Sequence, residues 1–75
     1  MLKLEIEEPV PAGEHEVDNW RANYYRYKER DISIYKYKDN SLAPYAVAID
    51  DVWQSGRFFS FGDALDEAKK MTEAL

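Results

Sequence analysis

The sequence contains no cysteine and only one histidine among its 75 residues. The absence of cysteine excludes a disulfide framework, a thiolate nucleophile and a thiolate metal site, and one histidine excludes a histidine-rich metal cluster. Apolar runs extend over only a few residues, whereas a membrane-spanning helix needs about 20. The N-terminus also lacks the basic start and apolar segment of a signal peptide. We therefore expect a soluble, cytoplasmic protein with no membrane contact, no metal and no cofactor.

The chain is short, and its length predicts a single domain over residues 1–75. A domain of this size buries only about 60% of the surface that its unfolded chain exposes, so the core is expected to be small. Hydrophobic residues make up 45% of the sequence and charged residues 33%. This balance is typical of a globular domain rather than a disordered chain.

Alternating apolar and polar residues predict several short strands. The predicted strands cover residues 2–7, 22–29, 31–38, 45–50 and 57–59, although one long bent strand over 22–38 is an alternative. Two prolines and a glycine lie within residues 8–19, and proline cannot donate a hydrogen bond to a sheet. We therefore predict an acidic loop over 8–19. A tight turn is expected around residues 29–31.

The C-terminal segment carries the clearest helix pattern. Ser60 and Asp63 have the spacing of an N-terminal capping box. Apolar residues then recur at helical spacing to Leu75, which predicts a helix over residues 60–75. Because the strands are joined by short connections, hairpins are favoured. The expected fold class is α+β, a small antiparallel sheet of three to five strands with one C-terminal helix packed on one face.

The strand predicted over residues 45–50 has two unlike faces. Its odd-numbered positions are large, and Trp53 continues this series, so we expect Trp53 to be buried. The opposite positions, Ala46 and Ala48, are small. Small residues there indicate that the helix or a neighbouring chain lies close against that side.

Charge is distributed unevenly along the chain. Residues 21–38 hold six cations against two acids, a net charge of +4, and the remaining residues have a net charge of −9. Tyrosines alternate with these cations, and Tyr, Trp and Arg are enriched where proteins bind each other. We therefore predict a small acidic, non-enzymatic binding or regulatory protein that contacts a protein partner, another protein or a second copy, through an aromatic and basic sheet surface. The candidate contact residues are Tyr25, Tyr27, Tyr35, Tyr37, Arg26 and Lys36.

Two alternative functions use the same charge pattern. Tyrosines beside cations are typical of single-stranded nucleic-acid-binding modules, whose rings stack on bases. Strand alternation weakens this reading, because it places Tyr35 and Tyr37 on the side opposite Lys36 and Lys38. The third possibility is a phage-type acidic inhibitor that mimics nucleic acid, since six acids lie within the first eighteen residues.

Catalysis is not predicted. Asp50 and Asp51 are adjacent, so on a strand their carboxylates point to opposite faces and cannot converge on a substrate. His15 has no evident partner, and the three glycines are too scattered to form a phosphate-binding loop.

Residues 31–75, which end in the segment SFGDALDEAKKM, resemble a sheet-then-helix unit. Such endings occur in several unrelated small modules, including the DNA-binding arms of phage-type integrases and HicB-like antitoxins. The resemblance covers an architecture and a helix start. It implies no family and no functional residue.

Overall fold

A computed structural model describes residues 7–39 and 41–75 of the chain. These residues form five strands followed by one helix, which confirms the predicted α+β class. The strands pair in chain order as an antiparallel meander. The elements are β1 (Val10–Glu16), β2 (Trp20–Tyr27), β3 (Arg30–Tyr37), β4 (Tyr45–Ile49), β5 (Val52–Trp53) and α1 (Phe61–Glu73). The strand predicted over residues 2–7 lies almost entirely outside the described residues.

The prediction of a loop over residues 8–19 is wrong, because β1 occupies most of it. Among the described residues this strand pairs with β2 alone, and its seven residues are exposed. Pro11 is tolerated because an edge strand does not need every N–H group for pairing. The register shifts between Pro11 and Gly13, so Ala12 is an extra residue, and Gly13 has a φ of 140° that favours glycine.

Two-residue turns close the β2–β3 and β4–β5 hairpins. Lys28 and Glu29 have φ values of 47° and 64°, and Asp50 and Asp51 have values of 50° and 65°. Positive φ at both central residues is the geometry that matches the twist of paired strands, and it usually selects Asn-Gly or Asp-Gly. Neither of these turns contains glycine. The β2–β3 turn lies one to two residues earlier than the turn predicted at 29–31.

The C-terminal helix begins where the sequence predicts. The Oγ of Ser60 accepts a hydrogen bond from the backbone N–H of Asp63, at 3.1 Å. This bond satisfies one of the N–H groups that have no partner inside the helix. Asp63 in the first turn and Lys70 in the last turn match the helix dipole. With thirteen residues the helix is about 20 Å long, so it depends on packing against the sheet.

The core lies between α1 and one face of β3 and β4. Ile32, Ile34 and Val47 are its largest fully buried side chains, and Ala64 and Ala68 of the helix pack against them. Each of the three large side chains contributes about 1.5–3 kcal/mol by leaving water. The two helical alanines let the helix backbone approach the sheet closely. The helix thus covers one face of the sheet, which we call the covered face.

The end of the sheet differs from the prediction in two ways. Trp53 is 56% exposed, not buried. It pairs with Ala48 because the turn at Asp50 and Asp51 has two residues, so Trp53 joins the face of the even-numbered residues of β4. The strand predicted over residues 57–59 is reduced to an isolated bridge between Tyr45 and Phe58.

Candidate binding surface

The second face of the sheet carries most of the molecule's sheet aromatics. The strand registers place Trp20 opposite Tyr37, Tyr24 opposite Ser33, and Tyr35 opposite Ala46. Residues that pair directly share a face, and this face is the one that α1 does not cover. We call it the open face. Its aromatic side chains are His15, Trp20, Tyr24, Tyr35, Tyr37 and Trp53.

Four of these rings form a continuous row across the sheet. The ring centroids of His15 and Trp20 are 5.6 Å apart, those of Trp20 and Tyr35 are 5.2 Å apart, and those of Tyr35 and Trp53 are 4.7 Å apart. The rings are tilted against their neighbours by 50°, 66° and 47°. These are favourable separations for aromatic pairs. The row therefore has a ridged surface, with a notch between each ring and the next.

Small residues form the floor beneath these rings. Ala22, Ser33, Ala46 and Ala48 are buried, although the helix lies on the other side of the sheet. We predicted that the helix or another chain lies close against Ala46 and Ala48. The helix packs on the opposite face, and the open-face rings are the neighbouring side chains that can exclude water from this floor. A Cβ added at Gly13 would lie 4.0 Å from the Tyr24 ring, an ordinary contact distance, so backbone conformation and not lack of space favours glycine there.

The cations of the tyrosine-rich hairpin lie mainly on the other face. Lys36 pairs with Arg21 and with Tyr45, so it shares the covered face with them. Its Nζ lies 5.9 Å from the centroid of the Tyr45 ring. The alternation predicted for residues 32–38 is thereby confirmed, because Tyr35 and Lys36 point to opposite sides of β3.

Ion pairs neutralise most of these cations. Arg21 and Lys38 both contact Glu16, and Arg30 contacts Asp50 at 2.7 Å. The hydrogen bonds from Lys38 and Arg21 hold the pKa of Glu16 below its ordinary value. On the open face, Arg26 contacts Asp31 at 2.7 Å. The positive segment seen in the sequence is therefore not a continuous basic patch in the fold.

The guanidinium of Arg57 is the other cation placed against the open face. Its Cζ lies 4.6 Å from the centroid of the Tyr37 ring, and its Nε donates a hydrogen bond to the carbonyl oxygen of Ala43. An arginine over an aromatic face is attracted by the ring quadrupole. The sequence pattern gave no sign of this pairing, because Arg57 and Tyr37 are distant along the chain.

The six predicted contact residues do not form one surface. Tyr35, Tyr37 and Arg26 lie on the open face, whereas Tyr25, Tyr27 and Lys36 lie on the covered face. Tyr27 is only 4% exposed and its hydroxyl donates a hydrogen bond to Glu73 at 2.6 Å, while the Tyr25 ring packs near Phe61. Tyr25 and Tyr27 therefore brace the helix and are not accessible as part of an exposed aromatic patch.

Four aromatic residues of the open face, Tyr24 among them, were not among the predicted contacts. Trp20 begins β2, Trp53 ends the sheet, and His15 lies on β1. The pairing of Trp20 with Tyr37 could have been derived from the sequence if the β2–β3 turn had been placed at Lys28 and Glu29. His15 was missed because its segment was predicted to be a loop. Trp53 was missed because the two-residue turn before it was not predicted.

Tyr35 is half-buried in the middle of the row. Burial raises its pKa above the ordinary value, and the nearby Tyr24 contributes in the same direction. The hydroxyl therefore stays protonated at neutral pH and can donate a hydrogen bond.

Two lysines of the helix are paired with acidic groups. Glu8 contacts Lys69 at 3.2 Å, and Glu67 contacts Lys70 at 3.4 Å. Within residues 7–39 and 41–75, no cluster of three or more His, Asp or Glu side chains is arranged to hold a metal ion. In the same part of the chain, no helix has both the length and the apolar character needed to cross a membrane.

Comparisons with known proteins add no constraint on this surface. No family model, curated protein or solved structure matches the chain.

Proposed function

We propose that this protein is a small, non-enzymatic binding or regulatory protein that contacts a protein partner through the open face. The observation that carries the proposal is the row of His15, Trp20, Tyr35 and Trp53 on a sheet face that the helix leaves uncovered. Two of its rings are tryptophans, the residue type that contributes most often to binding hot spots.

The exposure of Trp53 supports this use of the face. Its side chain is 56% exposed, while Ala48, with which it pairs, is buried and Tyr35, whose ring it contacts, is half-buried. A large ring that is held by a neighbour at 4.7 Å, yet remains open to solvent, loses little conformational entropy when a partner covers it. Exposed aromatic patches on a small protein typically mark contact sites.

Quantitative affinity capture tests the proposal. We expect Trp53→Ala to lose specific partners that the wild-type chain retains from extracts of its host, because it removes an exposed tryptophan ring from the row. Val52→Ala is the matched control, since Val52 is its neighbour in β5, is 61% exposed and points to the covered face. Equal capture by both variants would contradict the proposal, provided that circular dichroism shows both to be folded.

Single-stranded nucleic acid is the second candidate, and the stacking of Arg57 on Tyr37 beside the ring row favours it. Proteins of this kind combine stacking rings with cations that follow the phosphates. The ion pairs of Arg26, Arg30 and Lys38 leave few charges for that role. We therefore rank it below a protein partner.

Titration with labelled single-stranded DNA and RNA at two salt concentrations separates the candidates. Binding that weakens steeply with salt and is lost in Tyr35→Ala would support nucleic acid, because released counterions set the salt dependence. If the partner is a protein, as we propose, we expect no salt-dependent binding of these nucleic acids. Arg57→Gln is a second variant for this titration, since it removes the charge beside Tyr37 without removing a ring of the row.

A further inference from the structure

We propose that the ligand of the open face is a proline-rich segment in the polyproline II conformation, with a basic residue that lies near Asp51. This inference rests on the proposed function and names the class of partner. The geometry of three rings and the charge at one end of the row carry it.

The tilt of the rings determines what can bind between them. Trp20 and Tyr35 are inclined by 66°, and Tyr35 and Trp53 by 47°, so neighbouring rings form notches and not a flat platform. A planar base sandwiched between two rings needs centroids about 7 Å apart, twice an ordinary contact distance between carbon atoms. The observed 5.2 and 4.7 Å are too short. A compact, non-planar ring such as proline fits a notch from above.

The length of the three-ring segment is compatible with one turn of a polyproline helix. Tyr35 lies between Trp20 and Trp53, whose centroids are therefore at most about 10 Å apart. A polyproline II helix advances about 3.1 Å per residue and repeats every three residues, so one turn covers about 9 Å. Proline-rich ligands dock in aromatic-lined grooves in this conformation. Two ligand residues that are three positions apart on one side of such a helix can therefore contact the rings at the two ends of this segment.

Hydrogen-bond donors on the open face suit such a backbone. A polyproline II helix makes no internal hydrogen bonds, so its carbonyl oxygens remain free to accept. The indole N–H groups of Trp20 and Trp53 and the hydroxyl of Tyr35 are donors. Aromatic rings with a polar donor at one edge can pack against proline and bond to the same chain.

The charge next to Trp53 selects a basic flank. Asp51 is exposed, and no ion pair of its carboxylate occurs within the described residues. Its neighbour Asp50 differs, because Arg30 and the backbone N–H of Asp31 already occupy its two carboxylate oxygens. Asp51 is the second residue of the turn that leads into β5, two positions before Trp53. An Arg or Lys of the ligand can therefore pair with Asp51 while its prolines contact the rings.

Tryptophan fluorescence and NMR titrations with an arginine-flanked oligoproline peptide test the inference. We expect saturable binding that becomes about tenfold weaker or more in Trp53→Ala and in Tyr35→Ala, as for hot-spot rings. Val52→Ala should bind as the wild type does. A peptide of alternating Gly and Ser with the same arginine should not bind, because it does not hold the polyproline conformation.

The charge contact has its own test. Replacing the arginine of the peptide by glutamate should weaken binding to the wild-type protein several-fold, and Asp51→Asn should remove most of that difference. Binding of equal strength to both peptides would contradict the role of Asp51. Asp39→Asn is the control, since Asp39 is another exposed aspartate, in the segment between β3 and β4.

The outcomes separate the two proposals. If the oligoproline does not bind but host partners are still lost in Trp53→Ala, the polyproline inference fails and the proposed function stands. If neither ligand depends on Trp53 and Tyr35, both fail. A concentration-dependent dimer in sedimentation that Trp53→Ala dissociates would assign the face to a second copy and overturn the polyproline inference.

Discussion

The large side chains on the two faces of this sheet have different roles. On the covered face, the largest fully buried residues of β3 and β4 are the branched aliphatics Ile32, Ile34 and Val47, and small helix residues lie against them. On the open face the large apolar residues of β2 and β3 are rings, and the small residues lie beneath them in the sheet itself. The helix therefore buries the apolar residues of one face, and the sheet's own aromatic rings bury those of the other. On the open face this arrangement leaves the ring of Trp53 more than half exposed to solvent.

The sharpest test of this contrast compares a core residue of the covered face, Ile34, with an exposed ring of the open face, Trp53. Ile34→Ala should lower the free energy of unfolding by about 2–5 kcal/mol, because it leaves a cavity against the helix. Urea titration followed by circular dichroism measures the loss. If that variant does not fold, Ile34→Val should still lower it by about 0.5–1.5 kcal/mol.

Trp53→Ala is the open-face counterpart. Its cost in stability should be about 1 kcal/mol or less, since the ring is largely exposed and its main aromatic contact is with Tyr35. A stability loss as large as that of Ile34→Ala would show that the open face is a second core and not a binding surface.

Substitutions of the helix N-cap test how much the cap contributes to the stability of the helix on the covered face. Ser60→Ala removes the hydrogen bond to the N–H of Asp63 and should lower the free energy of unfolding by about 1 kcal/mol. Ser60→Asp is the control, because aspartate also caps helices and should restore the stability. Neither variant should change binding at the open face, which titration with the oligoproline peptide can check.

The hairpin turns set the register that separates the two faces. Glu29 has a φ of 64° without a side chain suited to that region, so Glu29→Gly should raise the free energy of unfolding by about 0.5–1 kcal/mol. Glu29→Ala is the control, since alanine keeps the strained Cβ and should give no such gain. Urea midpoints for the three proteins provide the measurement.

The smallest expected effect is a pH dependence. The hydrogen bonds from Arg30 and from the N–H of Asp31 hold the pKa of Asp50 below its ordinary value. The folded state then binds this proton less tightly than the unfolded state, so the contribution is complete above the ordinary pKa and is lost as the pH falls through the folded pKa. Asp50→Asn should show a flatter decline in urea midpoint below about pH 4 than the wild type. Identical profiles would contradict this role.

The sequence predicted the elements whose signals are local. The helix start at Ser60, the strand from Tyr45 and the opposite orientation of Tyr35 and Lys36 all depend on short-range periodicity or capping, and the structure confirms them. These features need no knowledge of which strand lies next to which.

The features that were missed depend on tertiary context. Pro11 and Gly13 indicate a loop by composition, but an edge strand accommodates both through missing pairing and a bulge. Trp53 continues the apolar series of β4 only if no turn intervenes. Tyr27 was assigned to the contact surface because tyrosine is common at interfaces, but the helix covers it. The charge pattern likewise gave no information on which cations would be paired with acids.

The register that follows the turn at Asp50 and Asp51 determines which face of the sheet carries Trp53. Because side chains alternate along a strand, one additional residue that enters the pairing of β5 and leaves the turn at two residues would transfer the last indole of the sheet to the side occupied by the helix. A second such residue would return it. A shift of the β4–β5 register by one position therefore changes which face carries this ring, with no substitution anywhere on the surface itself.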